Sequence, residues 1–547
     1  MSRKLLYIIS SLFLFSLILT VVNYFWITHN LSHLPPPWDQ SAYMHMSIHK
    51  YEILRQGNVV EFLKTVWTQA PHIAPLFPIT VIPFFMLFGI SVQTAYLANS
   101  LYLLILLVSV FFIAERIEGT NTAFVAVFLV ATFPAVIAYS RDFLFEFPLA
   151  SLTALSYLFF LWSDSFAARK PSVLFGVCTG LAVLTKTMGM VFFVMPFLYG
   201  IYASVRGSKE IKKNVIYAFL AAFCVAFIYY VPNFKHIFGY LFHFGVGAGS
   251  HNYNLGVSNM SSLRYWTIYF EAIARQGISL YYLLLFIAAA AVFLFARGKS
   301  LPREYWMLWL WFICGYVLLS IPHNKGAEQY ALPILPPLAL ITAIHIARTP
   351  WKPAKYVMLG AVLAVGMTNY VYQSRSERCL YDRFFFKGAP VLIPEHSTCL
   401  MQHSVGMEGD KDWDITLLLH YMDDLNTDKL STIRVLVAAN HNFLNINNLK
   451  LYALLDKMNG KLLSDFSFEW IEDKSQAEIE QSLHESTFII TKTGFQGPVF
   501  ANQKNSIVKN LLSNKAPLKI FQMPDGSFAS VYTGVDKMGK KSNTKDN

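Results

Sequence analysis

Long apolar runs separated by short polar stretches recur from the N-terminus to about residue 372. A helix that crosses the hydrocarbon core of a bilayer, roughly 30 Å thick, needs about 20 apolar residues. The first run, residues 5–28, follows Arg3 and Lys4 and ends in the aromatic residues Tyr24, Phe25 and Trp26. A signal peptide has a shorter apolar core and a cleavage site of small residues. The pattern therefore predicts an uncleaved transmembrane helix.

Ten further runs bring the predicted number of spans to eleven, two of them short: residues 92–114, 122–139, 147–163, 172–185, 188–204, 214–231, 278–296, 305–321, 331–347 and 355–372. With a cytoplasmic N-terminus, the short connections rich in Lys and Arg fall almost without exception on the inner side, as the positive-inside rule requires. Residues 75–89 would reverse this alternation if they crossed the membrane. We therefore expect them to form an interfacial helix on the outer face.

Three outer stretches are longer than connections need to be, namely residues 29–91, residues 232–277 and the chain after residue 372. In the last stretch, residues 433–439 and 486–491 resemble buried strands, residues 444–458 a helix and residues 518–532 a hairpin. The expected fold is a polytopic α-helical membrane protein, residues 1–372, followed by a soluble extracytoplasmic α/β domain, residues 373–547. The last dozen residues, rich in Lys, Asn and Ser, are expected to be disordered.

Two cysteines, Cys379 and Cys399, lie in this outer domain, where oxidation is permitted. They could form a disulfide that closes a short loop, or they could remain as two separate thiols. Their spacing favours neither alternative.

Composition supports a membrane protein and excludes a soluble one. Of the 547 residues, 55% are apolar and only 14% are charged, against about a quarter charged in soluble domains. The net charge of +11 forms no basic stripe, and many of the Lys and Arg residues lie in the predicted cytoplasmic loops. We therefore expect no nucleic-acid partner and a multi-pass location in an inner (plasma) membrane.

Ionisable side chains are rare inside the predicted spans and gather at their outer ends, which places the expected site on the outer face. In the first outer stretch, Asp39 follows three prolines and Trp38. Asp at such a position commonly caps a helix. Asp39 could equally act as a general base at the lipid–water boundary, where partial burial tunes the pKa of a carboxyl group.

Two more outer segments carry charges between apolar spans. The second contains Arg141, Asp142 and Glu146, and these residues either pair for structural reasons or take part in chemistry. The third contains Lys186, whose ammonium group could reach the interface along its apolar stem or could bind a phosphate as a point charge.

The fourth segment contains His323, Lys325 and Tyr330, which lead into a proline-rich helix. Separately, His45 and His49 are spaced i, i+4 on the predicted amphipathic stretch of the first loop, a spacing that could hold a divalent metal. Histidines on an amphipathic surface helix are also common without any metal, so this pair is a weak candidate.

These segments, in this order and on this side of the membrane, resemble the polyprenyl-phosphate-sugar-dependent glycosyltransferases of the GT-C fold, family 39-like, over roughly residues 1–350. That group includes protein O-mannosyltransferases and the aminoarabinose transferase that acts on lipid A. The resemblance rests on five segments: WDQSAYM from residue 38, APLFP from residue 74, YSRDFLFEFPLA from residue 139, GLAVLTK from residue 180, and YALPILPP from residue 330.

The resemblance implies roles for the candidate residues. Asp39 would be the catalytic base. Glu146, which matches the second acidic site better than Asp142 does, would be the second catalytic residue and would orient the acceptor or a cationic neighbour. Binding of the donor phosphate would fall to Lys186, Lys325 and Arg141, and the remaining candidates, Trp38, Asp142, His323 and Tyr330, would contact substrate.

Two departures from the family pattern bear on this assignment. Gln40 stands where protein mannosyltransferases tend to carry a second acid, which weakens protein mannosylation as the reaction. Gln329 stands where many relatives have Arg, which leaves phosphate binding more dependent on the lysines.

The expected function is an inverting transfer of a sugar from a polyprenyl-phosphate carrier to a lipid, glycan or protein acceptor on the extracytoplasmic face. No cofactor is required in this mechanism, and the polyprenyl-phosphate sugar is a co-substrate. Two alternatives stay open: a metal-dependent transferase that uses a lipid-linked oligosaccharide, and a permease or flippase for a lipid-linked glycan.

Overall fold

A computed structural model describes residues 3–253, 257, 259–295, 301–325, 328–374, 412–427, 431–472, 474–494 and 499–534. The chain divides into two compact units. The helical unit comprises residues 1–25 and 53–402. The C-terminal unit comprises residues 403–547 together with residues 26–52, a segment of the first predicted outer stretch.

Eighteen helices precede residue 375 in the described part of the chain: α1 (Arg3–Asn30), α2 (Trp38–Arg55), α3 (Val59–Thr68), α4 (Leu76–Thr80), α5 (Ile82–Phe88), α6 (Val92–Leu97), α7 (Asn99–Glu118), α8 (Thr120–Ala131), α9 (Pro134–Tyr139), α10 (Glu146–Trp162), α11 (Arg169–Thr185), α12 (Val194–Arg206), α13 (Lys209–Gly245), α14 (Leu263–Ala272), α15 (Leu280–Phe295), α16 (Arg303–Ser320), α17 (Pro336–Ala347) and α18 (Lys352–Gln373). Short 3-10 helices span Thr187–Phe193, Ala248–Tyr253 and Glu328–Ile334, and a π-helical turn spans Ile273–Gly277.

Helical residues are present at all eleven positions where the sequence predicts a span. Five helical stretches are long and apolar enough to cross a membrane, and a pair bent by 105°, Leu263–Gly277 with Leu280–Phe295, could form a sixth. Several other apolar helices are shorter than 18 residues. The mainly helical architecture is therefore confirmed, whereas the number of eleven crossings stays a prediction.

The interior of the helical unit buries a stacked pair of large aromatic side chains whose polar atoms are hydrogen-bonded. The rings of Tyr157 and Trp311 stack with their centroids 4.0 Å apart. The Tyr157 hydroxyl donates to the backbone oxygen of Phe192 at 2.9 Å, and the Trp311 indole donates to that of Pro333 at 3.0 Å. In an apolar environment each of these donors would carry a desolvation cost if it had no acceptor. Through these bonds the stacked pair links α10 and α16 to the 3-10 helices Thr187–Phe193 and Glu328–Ile334.

Residues 75–89 form two short helices, α4 and α5, rather than one. Pro83 lies in the first turn of α5, where the missing backbone N–H costs no intrahelical hydrogen bond. The break keeps Thr80 at the end of α4, and its hydroxyl accepts a hydrogen bond from Tyr102 at 2.9 Å. Their location at the membrane surface stays a prediction.

The C-terminal unit contains a five-stranded sheet in the order β2-β1-β3-β5-β4. Its elements are α19 (Thr416–Leu425), β1 (Ile433–Ala438), α20 (Ile446–Met458), β2 (Phe466–Trp470), α21 (Gln476–Glu485), β3 (Phe488–Lys492), α22 (Val499–Leu511), β4 (Lys519–Gln522) and β5 (Phe528–Thr533). Strands β1, β2 and β3 are parallel, and β5 pairs antiparallel with β3 and β4. The small α/β fold expected from the sequence is confirmed.

The predicted elements of this unit differ from the observed ones in detail. The helix predicted at residues 444–458 is α20, which begins at Ile446 because the Asn445 side chain caps it by accepting from two backbone N–H groups. The predicted hairpin is β4–β5, whose turn places Gly526 at a φ of +77°, a conformation that glycine adopts without strain. Strand β2 and helices α19, α21 and α22 were not predicted. Cys379, Cys399 and the last dozen residues lie outside the described residues.

Candidate active-site residues

Glu146 and Lys186 form an ion pair in the helical unit. Glu146 is the first residue of α10, and Lys186 follows the last residue of α11. The Lys186 Nζ lies 2.5 Å from the Glu146 Oε1, with 4% of the glutamate and 23% of the lysine side chain exposed. A charge in such an environment needs a partner, and two predicted site residues supply it for each other.

The ring of Tyr330 completes this cluster. The Lys186 Nζ lies 4.4 Å from the centroid of the Tyr330 ring, within the range of a cation–π interaction. We call Glu146, Lys186 and Tyr330 the Lys186 cluster.

Lys325 and His323 meet at one tyrosine that the sequence analysis missed. The Lys325 side chain is buried, donates to the backbone oxygen of Ser320 and lies 3.5 Å from the ring centroid of Tyr265. The Tyr265 hydroxyl is 3.4 Å from the His323 Nδ1. Burial lowers the pKa of Lys325 to about 8. Tyr265 lies in the first turn of α14, about 60 residues earlier in the chain. No local sequence pattern indicates that it contacts Lys325.

Arg141 is fully buried and connects the ends of two helices. Its Nε donates to Asn23 on α1 at 2.9 Å, and its two terminal nitrogens donate to the Gln373 backbone oxygen at 3.1 Å and the Ser374 hydroxyl at 2.9 Å. These bonds favour a structural role, through partners that the sequence did not indicate. The backbone oxygen of Asp142, also buried, accepts from Asn99 at 2.7 Å.

Asp39 and Trp38 lie in the C-terminal unit. Helix α2 begins at Trp38, so Asp39 lies within the first turn rather than before it, where a negative charge interacts favourably with the helix dipole. The Asp39 side chain is exposed. Trp38 has a φ of +27°, which is strained for a non-glycine residue, and its indole donates to the Asn440 Oδ1 at 3.0 Å.

His45 and His49 stack on the same helix, with ring centroids 6.2 Å apart. Burial, together with the nearby His49, Lys450 and Lys50, lowers the pKa of His45 to about 4. Among the residues that the structure describes, no three His, Cys, Asp or Glu side chains come together as a metal site. Whether a metal takes part in the reaction stays untested.

Comparison with known proteins places these residues in a recognised architecture. Residues 72–234, or 163 of the 547, match the sequence profile of the family described as dolichyl-phosphate-mannose-protein mannosyltransferase. The matched segment includes Glu146 and Lys186. A search of curated protein sequences found no significant match.

Two solved structures share the fold over nearly all of this chain. The crystal structure of ArnT from Cupriavidus metallidurans, bound to undecaprenyl phosphate, has a TM-score of 0.59 at 13% identity and covers 96% of this chain and 98% of its own. The cryo-EM structure of the arabinofuranosyltransferase AftD from Mycobacteria has a TM-score of 0.56 at 10% identity and covers 98% of this chain but 40% of its own.

The shared architecture is the GT-C fold, which confirms the resemblance found in the sequence. The family match of residues 72–234 agrees with the glycosyltransferase resemblance of the sequence over that segment.

Proposed function

We propose that the protein transfers a sugar from a polyprenyl-phosphate carrier to an acceptor on the extracytoplasmic face of the inner membrane. The observation that carries this proposal is the Lys186 cluster, because it holds a cation between a carboxylate and an aromatic ring. Its two charged members, Glu146 and Lys186, lie within the family-matched segment. An ammonium group whose position is fixed in advance can stabilise the negative charge of the phosphate of a lipid carrier. The structural neighbour ArnT, with undecaprenyl phosphate bound, supports this donor class by analogy of fold.

The proposed reaction is a displacement at the anomeric carbon. The Asp39 carboxylate takes the proton of the acceptor hydroxyl while the hydroxyl oxygen bonds to that carbon from the face opposite the leaving group. The bond between the carbon and the phosphate oxygen breaks, and the electron pair departs with the polyprenyl phosphate. The configuration of the sugar is therefore inverted.

The phosphate gains negative charge as it leaves, and fixed cations stabilise that charge without reorganising. Lys186 is the first candidate, since Glu146 and Tyr330 already fix its position. Lys325, with Tyr265 beneath its ammonium group, is the second. Arg141 is a weaker candidate, because its three guanidinium nitrogens have protein partners. His323 and Tyr330 would contact the sugar.

The test is the variant Asp39→Asn, assayed for release of free polyprenyl phosphate. We expect loss of at least about a thousandfold in kcat, because the amide cannot accept the hydroxyl proton. The control is Glu61→Gln in the same outer stretch, an exposed acid that pairs with Lys64 three residues later; its activity should stay unchanged. Full activity of Asp39→Asn in a correctly inserted protein would end the general-base proposal.

Two rival functions give different results. A metal-dependent transferase that uses a lipid-linked oligosaccharide would lose its activity in EDTA and regain it when metal is added. A permease or flippase would accumulate an unchanged lipid-linked glycan in vesicles. The proposed enzyme converts its donor and releases polyprenyl phosphate whether or not EDTA is present.

A further inference from the structure

The parallel strands of the C-terminal unit form a topological switch point at β1, the position where open α/β sheets commonly bind ligands. The chain passes from β1 to β2 on one side and then to β3 on the other side of β1. Such a reversal opens a crevice at the carboxyl ends of the two central strands, where open α/β sheets bind their ligands. In this protein, that edge is where the side chain of Trp38 forms its hydrogen bond with Asn440, the second residue after β1.

The loop after β1 is itself held rigidly. Asn445 donates to the backbone oxygens of His441 and Asn442 at 2.9 and 3.1 Å, while its own Oδ1 caps α20. His441 and Leu444 also form a pair of backbone hydrogen bonds. The loop therefore presents its polar groups in fixed positions.

Asn448, on the first turn of α20, anchors the residues just before Asp39. Its side chain is fully buried and donates to the backbone oxygen of Pro36 at 2.6 Å and to the Ser41 hydroxyl at 2.8 Å. The Ser41 hydroxyl in turn donates to the same Pro36 oxygen. These three bonds fix the backbone on both sides of Asp39 to α20.

Asn440 holds the residue adjacent to Asp39. Its Oδ1 accepts from the Trp38 indole at 3.0 Å, and its Nδ2 donates to Glu472 at 2.6 Å, so the amide has a defined orientation. The Trp38 backbone N–H donates to the Asn442 oxygen at 3.4 Å. Strained conformations such as that of Trp38 persist only where surrounding contacts hold them.

We propose that the C-terminal domain positions the general base, with Asn440 and Asn448 as positioning residues that act through Trp38, Pro36 and Ser41. In this proposal the ligand edge of the α/β domain binds a segment of its own chain in place of a small molecule. The proposal rests on the function proposed for Asp39, and neither asparagine contacts the reacting atoms.

The test compares three single variants, Trp38→Phe, Asn440→Ala and Asn448→Ala, with the control Asn426→Ala. Asn426 hydrogen-bonds Ser464 and Ser431 elsewhere in the same domain. We expect each of the three variants to lower kcat about 10- to 100-fold with little change in the KM for the donor, because misplacing a catalytic group by about 1 Å costs this much. The control should retain its kcat.

A second readout separates positioning from general loss of structure. Hydrogen exchange of peptides covering residues 36–44 should be faster in Asn448→Ala than in the natural protein, with an unchanged melting temperature. The same peptides should exchange normally in Asn426→Ala. The double variant Trp38→Phe/Asn440→Ala should be no slower than the worse single variant, since both remove one hydrogen bond.

The outcomes separate the two proposals. If Asp39→Asn is inactive while the three variants keep full kcat and normal exchange at residues 36–44, the positioning proposal is wrong. The general-base proposal for Asp39 is then still supported. Multiplicative losses in the double variant would also contradict it. If Asp39→Asn is fully active, the function proposed for Asp39 fails first.

Discussion

The two regions that carry the candidate residues are built on different physical principles. In the helical unit, Lys186 is held by a carboxylate and an aromatic ring. In the C-terminal unit, the backbone around Asp39 is held by neutral hydrogen bonds from asparagines, and the carboxylate itself is exposed. One region fixes a charge by pairing it, and the other fixes an acid by anchoring the backbone around it.

This difference suits the two tasks. A hydrogen bond with a charged partner contributes about 1.5–3 kcal/mol and a neutral one about 1 kcal/mol, so the pair holds its lysine firmly in an apolar environment. A general base must remain able to accept a proton, and a tight ion pair would hinder that by lowering its pKa. The hydrogen bonds from Asn440 and Asn448 fix the chain around Asp39 through neutral groups.

Within the helical unit, the largest effect is expected from removing the cation. Lys186→Ala should lower kcat about 100- to 1,000-fold, as loss of one preorganised donor to a developing charge does elsewhere. Lys186→Arg keeps a cation and should retain part of the activity, although its planar fork differs in shape from an ammonium group. The measurement is steady-state release of polyprenyl phosphate. Wild-type kcat in Lys186→Ala would show that the pair is purely structural.

The second prediction concerns stability: breaking the Glu146–Lys186 ion pair should lower the free energy of unfolding. Glu146 is almost fully buried, so Lys186→Met leaves an unpaired carboxylate and should destabilise the protein by about 1–3 kcal/mol, a value discounted for the partial exposure of the lysine. The double variant Glu146→Gln/Lys186→Met should recover most of that loss. Thermal unfolding in detergent measures both. Equal destabilisation in the single and double variants would mean that the charges are not coupled.

The smallest effect, visible only at alkaline pH, concerns Lys325. Its pKa is lowered by burial to about 8, so the free enzyme loses this cation as the pH rises through 8. If Lys325 binds the donor phosphate, kcat/KM should fall by up to about tenfold per pH unit above that value. Lys325→Arg stays charged and should shift the fall to higher pH. If kcat/KM falls in the same way above pH 8 in the natural protein and in Lys325→Arg, Lys325 does not bind the donor phosphate.

The helical unit was largely predictable because membrane helices follow from composition alone. Apolar runs located helical residues at all eleven predicted spans, and scarce charges at their ends pointed to Glu146 and Lys186, which the structure joins. Helices α3 and α14 and the extension of α13 to Gly245 lie in the predicted outer loops and were missed. The exact breaks were not predictable. Residues 75–89 divide at Val81, and residues 122–139 form two helices, because packing rather than hydropathy decides where such a run bends.

The surroundings of Asp39 could not be predicted from the sequence. Asn440 and Asn448 lie about 400 residues away from Trp38 and Pro36, and asparagine in a loop or at a helix start usually serves only local capping. Their contacts depend on a tertiary arrangement that no periodicity records. The same holds for Tyr265, which contacts Lys325 across about 60 residues.

The central claim is that Asp39 catalyses sugar transfer from a polyprenyl-phosphate carrier. The most direct measurement incubates the purified full-length protein, and separately its Asp39→Asn variant, with lipid extract from the native membrane and follows polyprenyl phosphate by mass spectrometry. The account predicts that the natural protein releases free polyprenyl phosphate and adds an equal amount of sugar to an acceptor, whereas the variant does neither. Equal release by both proteins, or a donor left chemically unchanged by the natural protein, would contradict it.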